Sequence, residues 1–299
     1  MNILISVNDA YYDAAKIMLR SLFRNNMDCN IVIYLFYTKI GKKELIRLEK
    51  FIEKNHSVLY TMEINDEILE DVPIGNLSKE TYFRLLAPRL LPKDLDRILH
   101  LDVDMIITGN IKEIYGMNFN NNLFMASPDT SLGIENTKKN LHMKNSDVYI
   151  NAGVLLMNLK LLRKEFDLDK MIGYAMSHPD EVPNCDQDLI NKFYHDRIGY
   201  LDWEYNYEAR FHSVLDIFAY FIQRNRLVKT VRIIHYMGQK KPWKPEFDGK
   251  FLREYYQYSK NTSYETEVKN NIRKRLKNII MLIGKININW MKRKITGDV

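Results

Sequence analysis

The chain has 299 residues, 46% of them apolar and 27% charged, a balance that excludes a disordered or fibrous protein and allows a substantial core. Its net charge is +6, yet residues 271–299 hold eight Lys or Arg against one acid, Asp298, so the preceding 270 residues sum to −1. A neutral body with a basic tail gives no ground for nucleic-acid binding by the body.

Short apolar runs alternate with longer amphipathic ones from the N-terminus onward. Residues 3–7, 31–37, 58–64 and 97–101 read as strands, and 12–25, 42–55 and 78–91 as helices. Such alternation predicts an α/β protein with a mainly parallel central sheet flanked by helices. Ligands of such sheets sit beyond the carboxyl ends of the strands, which singles out Asn8, Asp9, Asp102, Asp104, Asn158 and His235. The aromatic stretch 200–221 shows no clear period and takes no assignment. No GxGxxG or GxxxxGK[ST] loop is present, which speaks against a dinucleotide enzyme or a P-loop ATPase. Cys29 and Cys185 lack metal-ligand spacing and are expected as buried thiols in a reducing compartment. The N-terminus carries no signal-peptide pattern and no run approaches 18 apolar residues, so a cytoplasmic protein is expected.

The strongest local signal is RILHLDVDMII at 97–107. Asp102 and Asp104 stand two residues apart, which on extended backbone points both carboxylates to one side. At about 6 Å and an effective dielectric near 20 they repel by roughly 3 kcal/mol, or about two pKa units. Apolar flanks make that arrangement costly unless a divalent cation neutralises it, and carboxylate oxygens suit Mn²⁺ or Mg²⁺. The bland alternative is a solvated strand end. In VRIIHYMGQKKPW, at 231–243, His235 closes an apolar run and either completes the metal's ligands or serves the core. Gly238 permits close backbone approach to a phosphate and Lys241 offers a point charge. NAGVLLMN at 151–158 and NCDQDLIN at 184–191 supply Asn, Asp and Gln side chains of the kind that read sugar hydroxyls. Asp186 reads equally as the N-cap of a following helix.

In this order and spacing, LDVD with apolar flanks, NAGVLLMN, DQD and HxxGxxKPW resemble family 8 of the glycosyltransferases, the bacterial lipopolysaccharide galactosyl- and glucosyltransferase type, from Met1 to about Pro245. The resemblance implies a GT-A fold, a UDP-glucose or UDP-galactose donor, Mn²⁺ dependence, a glycan or glycolipid acceptor and transfer with retention. By matched position it implies Asp102, Asp104 and His235 as metal ligands, and Ser6, Asn8, Tyr11, Val103, Gly238 and Lys241 around the nucleotide and phosphates. Arg84, Asp129, Asn151, Ala152, Asp186 and Gln187 would then bind the donor sugar. Asn8 departs from the Asp that relatives often carry there.

Gln187 stands at the matched catalytic position but is a poor nucleophile, which favours same-face attack through a short-lived ion pair, with Asp186 the fallback nucleophile. Two other readings compete. In a phosphatase Asp102 would attack and Asp104 protonate, but Ile106 stands where Thr or Val is expected. The other is a non-catalytic carbohydrate-binding protein, against which the intact Asp102, Asp104 and His235 argue.

The expected organisation is a catalytic domain at 1–250 and a helical, basic membrane-association segment at 251–299. On a helical wheel Ile272, Leu276, Ile279, Ile280, Ile283, Ile286 and Trp290 share a face, with Lys274, Lys277, Lys285 and Lys292 opposite. Such a helix suits an anionic bilayer, here the inner face of the membrane; its alternative is a helix docked on the body.

Overall fold

The computed structural model describes residues 1–64, 69–75 and 77–277. Seven strands form the central sheet: β1 (Asn2–Val7), β2 (Val32–Tyr37), β3 (Val58–Glu63), β4 (Arg97–Leu101), β6 (Phe124–Pro128), β7 (Ile150–Asn158) and β8 (Ile198–Tyr200). Their order is β3-β2-β1-β4-β7-β6-β8. β1 to β4 run parallel, β7 runs against both β4 and β6, and β8 is parallel to β6. Thus β7 alone is reversed within a mainly parallel sheet.

Both faces of the sheet are covered because its strands are apolar on both sides. Along β1, Ile3, Ile5 and Val7 join a cluster with Ala14, Ile17 and Met18 of helix Tyr12–Asn25, while Leu4 enters the opposite cluster with Phe36, Tyr82 and Ile98. This is the period-two alternation of a strand buried on both faces. Helix Lys42–Lys54 adds Leu48 and Ile52 to the first cluster.

The reversal of β7 decides which of its ends meets the site. Leu101 pairs with Val154, and the Asp102 N–H donates to Gly153 O at 2.8 Å, so the start of β7 lies beside the carboxyl end of β4. Asn158, at the other end, pairs with Arg97. The expectation that Asn158 faces a ligand is therefore overturned: its side chain caps helix Leu159–Glu165, accepting from Leu161 N–H at 3.1 Å.

A second sheet, β5 (Met105–Ile107), β10 (Ile233–His235) and β9 (Tyr207–Glu208), lies in the order β5-β10-β9. Its antiparallel register sets Met105 opposite His235, and the Tyr236 N–H donates to Asp104 O at 2.9 Å. The two aspartates thus straddle the step from one sheet to the other.

Three local expectations change. Residues 78–91 do not form one α-helix: Lys79–Leu86 is 3₁₀ and Ala87–Leu90 a single α-turn. Pro88 explains the break, since its ring would clash with the carbonyl of Arg84 in a continuous α-helix. The unassigned aromatic stretch holds β9 and the start of helix Val214–Thr230, whose Leu215, Phe218 and Ile222 are exposed. Cys185 is buried as expected, but Cys29 is only partly so, because it sits in the turn between helix Tyr12–Asn25 and β2.

The described part of the C-terminal segment packs on the body. Helix Leu252–Ser259 buries Leu252 and Tyr255, and the Tyr264 ring stacks on Trp243 with centroids 4.8 Å apart. Within the helical residues 265–277, Asn271 donates to Pro242 O at 3.0 Å and Lys244 O at 2.8 Å, and Ile272 joins the core. Residues Ile279 to Trp290 of the proposed apolar face, with Lys285 and Lys292, lie outside the described residues. No helix among the described residues is long and apolar enough to cross a membrane.

Candidate functional site

A cleft of about 610 Å³ opens at the carboxyl edge of β1 and β4. All fifteen residues that the resemblance assigns to metal, nucleotide and sugar line it: Ser6, Asn8, Tyr11, Arg84, Asp102, Val103, Asp104, Asp129, Asn151, Ala152, Asp186, Gln187, His235, Gly238 and Lys241. Asp9 is exposed and is not among the lining residues.

Asp102, Asp104 and His235 converge, with one donor atom from each lying within 4.8 Å of the others. His235 Nε2 stands 3.3 Å from Asp104 Oδ1 and 3.7 Å from Asp102 Oδ2. The remaining oxygens are taken. Asp104 Oδ2 accepts from Lys241 Nζ, which also donates to Tyr236 O at 2.9 Å, and Asp102 Oδ1 accepts from Arg84 at 3.0 Å. Burial alone would raise the Asp104 carboxyl, but Lys241 and His235 outweigh it and hold it below the usual carboxylate range.

The hydrogen-bond network fixes the imidazole tautomer. The Gly153 N–H, an unambiguous donor, points at Asn151 Oδ1 at 3.0 Å, which assigns that amide. Asn206 therefore turns its Nδ2 to Asn151 Oδ1 at 2.8 Å and its Oδ1 to His235 Nδ1 at 2.9 Å. Nδ1 then carries a proton in either charge state of the ring, and Nε2 faces two carboxylate oxygens, offering them an N–H when the ring is charged and leaving a lone pair for a cation when it is neutral. Two carboxylate oxygens and an imidazole nitrogen aimed at one another need a positive charge between them, a proton on Nε2 or a metal in its place, and a divalent ion that takes oxygen and imidazole ligands fits this donor set. Gly153 keeps the space open: a Cβ there would overlap the His235 ring and stand 2.9 Å from Asp102 Oδ2.

Beyond the cluster, Arg84 is buried and ties the site together. It donates to Ala152 O, Asp102 Oδ1 and Thr81 O, and meets His100 Nδ1 at 3.3 Å. Burial, with Arg84 and His235 nearby, holds His100 well below its usual range and hence neutral. Arg84 Nε lies 2.8 Å from Asp186 Oδ2, but its N–H is aimed at Thr81 O, leaving that oxygen without a hydrogen bond. Asp186 is 2% exposed, and burial pushes its carboxyl up to about 7 against the pull of Arg84. Its side chain caps nothing. Cys185, in left-handed backbone at φ 55°, is the N-cap of helix Asp186–Tyr194 and turns Asp186 and Gln187 into the cleft.

Gln187 is held at both ends of its amide. Oε1 accepts from Ala152 N–H at 3.0 Å, while Nε2 donates to Asp129 Oδ2 at 3.2 Å and Tyr149 OH at 3.1 Å. Of the other polar residues of NCDQDLIN, Asn184 also lines the cleft, whereas Asp188 and Asn191 face inward: Asp188 accepts from Asn184 N–H and Tyr149 OH, and Asn191 clamps both backbone groups of Ile150. Lining residues that the sequence did not point to include Glu80, Gly153, Arg210 and Met237. Arg210 pairs with Glu208 and donates to Ser131 Oγ at 3.2 Å, and Met237 Sδ accepts from Asn151. Gly153 left one signal, a glycine in the middle of an apolar strand.

The fold is of the GT-A type. The galactosyltransferase LgtC, solved with donor and acceptor sugar analogues, superposes with a TM-score of 0.74 at 22% identity, covering 88% of this chain and 96% of that one. GlyE of Streptococcus pneumoniae superposes at 0.65 with 19% identity, over 92% of this chain and 64% of its own. Within that class the sequence is more specific: the model of glycosyl transferase family 8 matches residues 2–246, and the chain belongs to that family. The lipopolysaccharide 1,2-glucosyltransferase of Escherichia coli K12 is 26% identical over 81% of this chain and 72% of its own length. General stress protein A of Bacillus subtilis is 23% identical over 89% and 95%. The chain spans only 61% of the length of another relative, GlyB of Streptococcus pneumoniae, at 25% identity.

Proposed function

We propose that this family 8 glycosyltransferase moves glucose or galactose from a UDP-sugar to a glycan or glycolipid acceptor, with retention and with Mn²⁺ or Mg²⁺, in cell-surface polysaccharide synthesis. The observation that carries the reading is the convergence of Asp102, Asp104 and Nε2 of His235 on one point. These three residues hold the ion, which supplies positive charge against the departing diphosphate. Lys241, beside Asp104, adds a second cation on the same side, and Gly238 at φ 82° lets backbone approach the phosphates closely. Ser6, Asn8, Tyr11 and Val103 receive the nucleoside. Arg84, Asp129, Asn151, Ala152, Asp186 and Gln187 form the wall against the donor sugar.

Same-face attack through a short-lived ion pair fits these residues better than double displacement. The Gln187 oxygen is committed to the Ala152 N–H. Asp186 is buried and, with its carboxyl near 7, is partly protonated at neutral pH, so it is a weak nucleophile. We further assign the chain to the cytoplasmic side of an anionic membrane, with 1–250 as the catalytic unit and 251–299 as the attachment segment.

UDP release from a panel of nucleotide sugars tests the reading, with Mn²⁺ or with EDTA, in wild type and Asp104→Ala. Metal-dependent release from one hexose donor, lost in the variant, is expected. Release that is indifferent to EDTA, or binding of no UDP in the presence of Mn²⁺, would sink it.

A further inference from the structure

Two polar atoms at one end of the cleft have no partner. Ser6 Oγ and Asn8 Oδ1 are closed off from water and accept or donate no hydrogen bond. They are two residues apart at the end of β1, and both residues line the cleft with Tyr11. A buried acceptor without a donor is unfavourable, and since Asn8 lines the cleft, a small turn of its side chain offers that oxygen to a ligand edge carrying an N–H.

The orientation of Asn8 is not free. Its Nδ2 donates to Glu80 Oε2 at 3.0 Å, and the other oxygen of Glu80 accepts from Thr38 Oγ1. Burial would raise the Glu80 carboxyl, but hydrogen bonds from Ser78, Thr38, its own backbone and Asn8 outweigh burial and keep it ionised. An ionised carboxylate only accepts, so Asn8 must present its amide nitrogen to Glu80 and its oxygen elsewhere. An Asn flipped the other way would set oxygen against oxygen at hydrogen-bond distance.

We propose that Glu80 is a positioning residue for base selectivity. By holding Asn8 Nδ2 it fixes Asn8 Oδ1 as an acceptor for a ring N–H, which uracil carries at N3 and cytosine does not. This rests on the UDP-sugar reading above and deepens it.

The test is calorimetric binding of UDP and of CDP to the full chain with Mn²⁺. Wild type should prefer UDP. Glu80→Gln lets either amide orientation form, and Glu80→Asp falls short of Asn8; in each the UDP-to-CDP preference should fall by about tenfold or more. The double variant Asn8→Asp with Glu80→Gln should restore it, because the carboxylate offers an oxygen to the base while the glutamine donates to the other. A merely structural Glu80 would lower affinity for both nucleotides equally and would not be rescued. Thermal melts identify a misfolded variant, and Glu80→Asp keeps the charge should Glu80→Gln melt. An unchanged preference in the single variants, or no rescue in the double, overturns the proposal. Wild type binding UDP and CDP alike overturns it while leaving the transferase reading intact; wild type binding neither removes both.

Discussion

Gly153 shows how much of the site rests on one missing methyl group. It is a strand residue of β7 whose carbonyl pairs with the Asp102 N–H and whose N–H orients Asn151. Its backbone bonds would survive substitution, but a Cβ would overlap the His235 ring and press on Asp102 Oδ2. The neighbouring groups are not flexible tips that can step aside, since His235 is held by Asn206 and Asp102 by Arg84. Gly153→Ala should therefore cost about 10–100-fold in Mn²⁺ affinity, measured by calorimetry, with a corresponding loss of donor hydrolysis. A variant that binds Mn²⁺ like wild type would show that the three ligands do not share one ion. The aspartates and His235 were legible in the sequence because each closes an apolar run, where a polar residue stands out. Gly153 was not, because its role is an exclusion set by residues some fifty and eighty positions away, which no local pattern encodes.

Among the elements, helix Asp186–Tyr194 and strand β7 act as a unit, and Asn191 is their clamp. Its Oδ1 accepts from Ile150 N–H at 2.8 Å and its Nδ2 donates to Ile150 O and Gln187 O, both at 2.9 Å, with the side chain fully buried. The clamp sets the first turn of the helix, with Asp186 and Gln187, against Asn151 and Ala152 at the start of the strand. Asn191→Ala leaves the buried N–H and carbonyl of Ile150 without their side-chain partner, while Gln187 O keeps its helical bond, and at about 1 kcal/mol or more each the loss should reach roughly 2 kcal/mol in denaturant unfolding. The KM for the donor should rise as Gln187 loses its register, so an unchanged KM would mean that Gln187 is placed by Ala152 alone. The sequence grouped Asn191 and Asp188 with the sugar readers, because the chemistry of their side chains is the same on either face of a helix. Only packing decides which face looks into the cleft. Strand direction was hidden for a similar reason: β7 reads as an apolar run either way, and its reversal brings Asn151 to the site and sends Asn158 to the far edge. Helix Val214–Thr230 shows no single stripe in the sequence because it is apolar on two faces, with Leu215, Phe218 and Ile222 exposed on one and Tyr220, Leu227 and Val228 packed on the core from the other.

At the scale of the whole molecule, charge and exposed apolar surface separate from the cleft's own chemistry. The body is near neutral, and the basic excess begins where the described helix 265–277 is still docked. That docking divides the tail in two. Asn271 holds the loop after Lys241 through Pro242 O and Lys244 O, so a truncation before 271 would disturb the Lys241 side of the cleft along with any membrane contact. A cut after Lys277 spares that anchor. It removes Lys285, Lys292, Arg293 and Lys294 against the single acid Asp298, with Trp290 among them. Four basic residues near an anionic surface contribute on the order of 4 kcal/mol, so the truncated chain should bind vesicles rich in phosphatidylserine at least about 100-fold more weakly at low salt. Co-sedimentation at about 0.1 M and 0.5 M salt checks this, with donor hydrolysis by the truncated chain expected to match wild type. Equal pelleting of both chains would end the tail's claim and move attention to the exposed Leu215, Phe218 and Ile222, where putting a negative charge on the apolar face with Phe218→Glu should then release the protein. Lost hydrolysis with retained pelleting would mean instead that the residues after 277 serve the cleft rather than the membrane.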